Sequence, residues 1–285
     1  MSATSLTWGG RSIPGPDGLP AVAVSLTGPS LAHAQAQARS AIGAGADVLE
    51  LRVDLLEETG ALTAAPMDTA AARVLECLQG VGEVANGADA DAGAPLLLTC
   101  RTAAEGGRAH LDAAAYGALL RSVLDGLADW APERRPAAID VEVQRGCLQR
   151  VCEHAHTLGV DVVASFHDFE ATPPDEVLEE VLARMASEGA DLAKIAVWPT
   201  SADDVARLLG VCARATAGTG EGAGPGVPVA AMSMGALGAV SRVAPAFGTA
   251  LTFAVVPDEQ GEARASAPGQ MPIQDVRRCL ELLRA

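Results

Sequence analysis

The chain has 285 residues, 49% hydrophobic and 20% charged, a balance that builds a sizeable core and excludes a disordered or fibrous protein. A formal net charge of −16, with no clustered run of basic residues, excludes a groove that tracks nucleic-acid phosphates. No stretch reaches the ~20 apolar residues that cross a bilayer and the start lacks a signal-peptide pattern, so a cytoplasmic protein without membrane or nucleic-acid partners is expected.

Residues 1–20 hold a short hairpin-like piece, Leu6–Ile13, turning at Gly9-Gly10. Strand-type runs follow at Ala21–Leu26, Val48–Arg52, Leu96–Thr99, Ala138–Glu142, Val162–Phe166, Leu192–Val197, Val229–Ser233 and Leu251–Val255. Helical patterns lie between them near 31–43, 66–80, 112–128, 147–158, 174–188, 201–216 and 236–244, with a last helix over 273–284. Thr172-Pro173-Pro174-Asp175-Glu176 opens one helix with acids in its first turn, and Gly159 and Gly189 are stop signals. Strands alternating with helices in this way predict an α/β fold, a (β/α)8 TIM barrel, as a single domain over 1–285 with the hairpin closing its floor. An open doubly wound sheet is the rival, but no Gly-rich phosphate fingerprint follows the first strand.

Two low-complexity segments, Val81–Ala94 and Ala215–Val227, each run from a helix to the next strand. That places them opposite the catalytic face, as tolerated insertions. Residues 256–272 instead follow the eighth strand, on the catalytic face, and are expected to form a lid.

Polar residues gather where the strands end: Glu50 and Arg52, Arg101 and Glu105, Asp140 and Glu142, then Ser165, His167 and Asp168. Those ends share one mouth in a barrel, where charges are costly unless they pair or work. Of the 20 basic residues 19 are arginine, and Lys194 is the only lysine. A position that keeps lysine in such a chain points to a need that arginine cannot meet, an amine that loses its proton and attacks a carbonyl. The iminium so formed acidifies a neighbouring C–H, and that chemistry needs a base. His167, one strand before Lys194, is the candidate, with Glu105 and Asp140 both placed to orient its ring.

The remaining candidates carry less. The six cysteines (Cys77, Cys100, Cys147, Cys152, Cys212 and Cys279) are scattered through apolar patterns and read as buried thiols. Cys147, Cys152, His154 and His156 are metal-ligand types, but 152, 154 and 156 share no helical face and no Cys-x-x-Cys pair is present, so no metal is expected. His33 and His110 read as surface residues. Gly235-Ala-Leu-Gly238 can present backbone amides to an anion.

Seven segments in order carry a family likeness. They are Glu50-Leu-Arg52-Val-Asp54, Arg101-Thr-Ala-Ala-Glu105-Gly-Gly, Asp140-Val-Glu142, Ser165-Phe-His167-Asp168-Phe-x-x-Thr172-Pro173, Lys194-Ile-Ala-Val, Met232-Ser233-Met234-Gly235-x-x-Gly238-x-x-Ser241-Arg242 and Ser266-Ala-Pro-Gly-Gln270. Over about residues 20–284 the chain resembles the type I 3-dehydroquinate dehydratase (3-dehydroquinase) family of the shikimate pathway. The resemblance implies a cofactor-free lyase of aromatic amino acid biosynthesis, a homodimer that converts 3-dehydroquinate to 3-dehydroshikimate by syn elimination of water. It implies that Lys194 forms a Schiff base with the C3 ketone, and that His167 removes a C2 proton and delivers it to the departing C1 hydroxyl. Glu105 would pair with that histidine, Arg242 would hold the substrate carboxylate, and Ser266 and Gln270 would close over it from the lid. Glu50, Arg52 and Arg101 would bind ring hydroxyls, with Ser25 and Met232 as wall positions. Pro257–Arg264 is longer and more charged than the family pattern. Two other readings share these features: a class I aldolase barrel, and a barrel kept as a metabolite sensor.

Overall fold

The computed structural model describes residues 5–60, 62, 66–87, 93–217, 226–257 and 264–284. Strands β1 (Leu6–Trp8) and β2 (Arg11–Ile13) form the antiparallel hairpin. Eight parallel strands follow: β3 (Ala21–Leu26), β4 (Val48–Arg52), β5 (Leu96–Thr99), β6 (Ala138–Glu142), β7 (Asp161–Asp168), β8 (Leu192–Val197), β9 (Val229–Ser233) and β10 (Leu251–Ala254). From β3 to β9 each pairs with the next in sequence, and β10 returns to lie beside β3. The seam between β9 and β10 is bridged where Ala250 N–H donates to the Val229 carbonyl at 2.7 Å. A first strand held by the last makes a barrel and disposes of the open sheet. Around it lie α1 (Leu31–Gly43), α2 (Met67–Ala85), α3 (Ala113–Leu127), α4 (Leu148–Thr157), α5 (Asp175–Ser187), α6 (Ala202–Thr216) and α7 (Ile273–Leu282).

Alternation along each strand sorts the side chains into layers. Outward residues such as Val22, Leu49, Ile139 and Ile195 pack beneath the helices, and each such burial contributes about 1.5–3 kcal/mol. Inward residues at the strand starts, among them Ala23, Val48, Leu97, Ala138, Val163 and Leu192, make an apolar floor. Trp8 and Ile13 of the hairpin belong to that floor, and Trp8 Nε1 donates to Asp161 Oδ2 at 2.8 Å. Two residues further along the same strands stand Ser25, Glu50, Thr99, Asp140, Ser165 and Lys194, all buried. A period-two pattern thus sets a polar layer directly on an apolar one. That layer is the base of the site.

Several expected boundaries move. Val81 and Ala85, assigned to the first low-complexity segment, are buried in the last turns of α2, and α6 likewise takes Ala215 and Thr216 from the second. Residues 88–92 and 218–225 of those segments, and 258–263 of the lid, lie outside the described residues. The helix expected over 236–244 is replaced by two 3-10 turns, Ala239–Val243 and Pro245–Phe247. Ser241 Oγ contributes to the change: it donates to the Gly238 carbonyl at 2.7 Å, the acceptor a helical Arg242 N–H would need, and accepts from Ser233 N–H at the end of β9 at 2.8 Å. Gly238 also lies so close to Ser233 that any Cβ would collide with its carbonyl. The described residues therefore hold seven α-helices, not eight. Strand β7 runs on to Asp168, which puts His167 inside the strand and facing the mouth.

Candidate active site

The polar layer opens into a narrow cavity of about 40 Å³ at the C-terminal ends of the strands. Lys194 rises into it from β8. Its Nζ stands 3.3 Å from Glu50 Oε1, 3.5 Å from Asp140 Oδ2 and 4.3 Å from the centre of the Phe253 ring. Burial alone would raise the Glu50 carboxyl, but Lys194 first, then Arg52, the Ser25 hydroxyl and Arg101, bring it down to about 2. Glu50 is therefore a carboxylate at every working pH, and with Asp140 it fixes where the amine points.

Arg101 ties the neighbouring strand ends together. One guanidinium nitrogen donates to Glu142 Oε1 at 3.1 Å and Ser165 Oγ at 2.9 Å, and the other pairs with Asp140 Oδ1 at 2.8 Å. Glu142 also accepts from Thr102 N–H at 2.7 Å and Thr102 Oγ1 at 2.6 Å. Arg52 makes a two-pronged pair with Asp54, both contacts at 2.8 Å, and Asp54 in turn holds the backbone N–H of Arg101 and Arg108. Ser25 donates to Glu50, and Thr99 Oγ1 donates to the same carboxylate at 3.0 Å. These buried charges are paired, as their desolvation requires.

His167 Nδ1 lies 2.8 Å from Glu105 Oε2, so Glu105, and not Asp140, orients the ring. Nε2 meets no protein partner among the described residues and is left for the cavity. Burial, then Arg101, Lys194 and Arg52, hold the imidazole well below its usual range. Burial raises Glu105 to about 8; Arg101 opposes this, while Glu142 and Asp140 add to it. Both shifts favour an uncharged pair that titrates as a unit. The base form, with Glu105 ionised and Nε2 bare, is reached as pH climbs through that value. Glu105→Gln keeps an acceptor for Nδ1–H but no acid, so the acid limb of kcat/KM should move to lower pH. The maximum rate should fall about tenfold, since an amide stabilises the forming imidazolium less than a carboxylate does. An unmoved limb in a pH–rate profile would contradict this coupling.

Arg242 differs from the other cations of the site. It is 1% exposed, its Nη2 donates to the Pro268 carbonyl at 2.9 Å, its Nε has no partner, and no carboxylate pairs with it among the described residues. Burial pulls its guanidinium down to about 10. A desolvated, unneutralised guanidinium facing a cavity is a place for an anion. Above it the segment from 264 to 272 is fastened to the barrel. Ser266 Oγ donates to Ser25 Oγ at 2.8 Å, Gln270 clasps Ser266 through two 2.9 Å hydrogen bonds, and Thr27 Oγ1 reaches the Arg264 carbonyl at 3.1 Å.

All ten residues singled out in the sequence (Lys194, His167, Glu105, Ser25, Glu50, Arg52, Arg101, Arg242, Ser266 and Gln270) come together here, nine on the cavity wall and Ser25 beneath it between Glu50 and Ser266. Met232 also lines the wall. Asp168 does not join them. It faces away from the mouth, and its Oδ1 caps the following turn through the N–H groups of Glu170 and Ala171. Phe253 and Phe169 were missed, although the inward alternation Leu251, Phe253 was visible in the last strand. Among the metal-type residues, burial, with help from Asp191 and Glu188, pushes the Cys152 thiol up to about 12, and His156 Nε2 bonds Asp191 Oδ2 at 2.8 Å. A thiol held so high is a poor ligand.

Known proteins match this chain along its length. The family model described as Type I 3-dehydroquinase matches residues 22–285. A 3-dehydroquinate dehydratase of Klebsiella pneumoniae subsp. pneumoniae is 36% identical over 266 residues, covering 92% of each chain. One from Salmonella paratyphi B is 35% identical over 271 residues, covering 94% of each. Among solved structures, the 3-dehydroquinate dehydratase of Geobacillus kaustophilus superposes with a TM-score of 0.80 at 29% identity, over 100% of this chain and 98% of its own. A type I 3-dehydroquinate dehydratase from Clostridium difficile, with covalently modified comenic acid, gives 0.78 at 27% identity over 99% of both.

Proposed function

Because the chain belongs to the type I 3-dehydroquinase family, we propose that it removes water from 3-dehydroquinate to give 3-dehydroshikimate, with Lys194 as the covalent catalyst. The observation that carries the route is the pairing of the chain's only lysine with a buried His167–Glu105 couple in one cavity. Lys194 Nζ adds to the C3 ketone, and loss of water leaves an iminium. His167 Nε2 takes a proton from C2, and the electrons of that C–H bond pass into the iminium to form an enamine. The enamine expels the C1 hydroxyl, which leaves as water with the proton that His167 returns. Hydrolysis of the conjugated iminium frees product and amine, so one water is lost overall. Glu105 holds Nδ1 throughout and stabilises the imidazolium while it exists.

Arg242 is the carboxylate anchor in this scheme, and residues 264–272, fastened above it, serve as the lid. Ser266 and Gln270, which hold each other and Ser25 here, exchange those contacts for the substrate. Glu50, Arg52 and Arg101 face the ring hydroxyls, although Arg101 has donors already engaged by Asp140, Glu142 and Ser165. Arg242→Gln removes a binding charge and leaves the amine and base in place. KM should rise about 100-fold with kcat changed less than threefold, since a charge-assisted two-pronged contact is worth roughly 3 kcal/mol. A large kcat loss at unchanged KM would contradict the assignment.

The activity itself is tested by mixing protein and 3-dehydroquinate and following the absorbance of the conjugated enone. A protein that binds 3-dehydroquinate without forming enone would be a sensor, and C–C cleavage products would indicate an aldolase. We also infer a homodimer, from the family resemblance, and a cytoplasmic location, supported by six free cysteines. Sedimentation of the purified chain tests the first.

A further inference from the structure

We propose that Tyr116, the only tyrosine of the chain, is a positioning residue for this reaction, its hydroxyl replacing a missing strand partner and fixing the end of β6. The role presupposes the dehydration proposed above. Strands β5 and β6 pair only through Leu97↔Ala138 and Leu98↔Ile139, whereas β6 and β7 stay paired as far as Glu142↔Ser165. Beyond Ile139, β6 therefore has a strand on one side alone, because β5 ends at Thr99 and the chain turns off through Arg101 and Thr102. Backbone groups facing that gap are buried and need partners.

Tyr116 supplies them from the core face of α3. Its Oη accepts from Glu142 N–H at 3.1 Å and donates to the Asp140 carbonyl at 3.4 Å. The side chain is 0% exposed, so no bulk water competes. A phenol suits the task, since a rigid ring spans from helix to strand and one hydroxyl both accepts and donates. Phenylalanine would fill the same volume and leave both backbone groups unpaired.

What depends on this clamp is the charge layer. Asp140 reaches Lys194 Nζ at 3.5 Å, Arg101 at 2.8 Å and Ser165 Oγ at 2.7 Å. Glu142 holds Arg101 and Thr102, at the start of the turn that carries Glu105. A small drift at 140–142 would move a counter-ion of the amine and the support of the base together. Arg242, Ser266 and Gln270 come from the segments after β9 and β10 and touch none of these groups. Loss of the hydroxyl should therefore fall on kcat and spare KM, and misplacements well under 1 Å are enough for about tenfold.

The pH profile separates this role from simple packing. Glu105 is faced by Arg101, Asp140, Glu142, Arg145 and His167, and His167 by Arg52 and Lys194 as well. Asp140 and Glu142 act on the Glu105 carboxyl directly and also hold Arg101 against it, so their drift should displace the acid limb, which a packing defect elsewhere would not do.

Wild-type turnover of 3-dehydroquinate, measured first, tests the functional reading by itself. Tyr116→Phe is then expected to lower kcat about tenfold per site titrated with borohydride, with KM within twofold and the acid limb displaced from its wild-type position. Leu120→Ala, one turn along the same buried face, opens a cavity without touching the hydroxyl. It should lower Tm yet keep normal kcat per titrated site. Because the chain has one tyrosine, growth on 3-fluorotyrosine places a single fluorine at Tyr116, and its resonance should move when borohydride fixes substrate to the enzyme. This holds even if Tyr116→Phe fails to fold. A Tyr116→Phe enzyme with native kcat and pH profile, an equal kcat loss in Leu120→Ala, or an unmoved fluorine signal would each overturn the proposal.

Discussion

Lys194→Arg is expected to fold normally and to lose turnover by about 10⁴-fold or more, the scale on which a covalent nucleophile is missed. Arginine is the informative replacement because it keeps the positive charge between Glu50 and Asp140. Alanine would take from Glu50 its ion-pair partner while Asp140 keeps Arg101, and breaking a buried pair costs about 3–5 kcal/mol in stability, mixing unfolding with lost chemistry. A guanidinium holds its proton at every working pH and cannot add to a ketone. Thermal melting should thus show a folded protein while the enone assay shows no product. Normal turnover in Lys194→Arg would remove the covalent route altogether.

His167→Gln should cost about 10²–10⁴ in kcat and leave substrate capture intact. Glutamine can still reach Glu105 but cannot cycle a proton between carbon and oxygen. The two variants therefore separate the two halves of the mechanism. Borohydride should still trap substrate on His167→Gln, whereas nothing should be trapped on Lys194→Arg. In wild-type protein the depressed imidazole has a consequence for pH. Burial and the cations Arg101, Lys194 and Arg52 keep it from becoming a separate imidazolium, so the rate should fall with acid only as the His167–Glu105 couple takes up its extra proton. A limb belonging to an ordinary exposed histidine, near 6.5, would contradict that picture.

Much of this is legible in the amino-acid sequence. Lys194 stood out because the chain uses arginine at every other basic position, and its place in a strand between apolar residues fixed its depth in the barrel. The strand pattern was read to within a residue or two, since each run alternates between floor or site and the helix-facing layer. Other features depend on geometry that residue types do not carry. Glu105 and Asp140 are both strand-end carboxylates, and only the turn through Thr102 and Gly106 decides which one meets His167. The sequence pattern ends this strand at Phe166 and so sets Asp168 in the mouth, but β7 runs two residues further, and one step along a strand reverses the face.

The helix expected at 236–244 failed for a local reason. Its apolar periodicity is genuine, but Ser241 and the close approach at Gly238 satisfy the backbone in tighter turns, and those turns carry Arg242 under the lid. Phe253 read as one more apolar strand residue, yet it lies against the reacting amine. Tyr116 is one of the buried residues of α3. Its hydroxyl matters only because β5 stops short of β6, a fact of register that no window of sequence contains.

The most direct measurement is borohydride reduction in the presence of 3-dehydroquinate, followed by mass mapping of the peptides. Lys194 carries the chain's only side-chain amine, so the account predicts one substrate adduct per chain, on the peptide around Asp191–Val197, together with loss of activity. An enzyme that turns over 3-dehydroquinate yet stays active and unmodified through that treatment would contradict it.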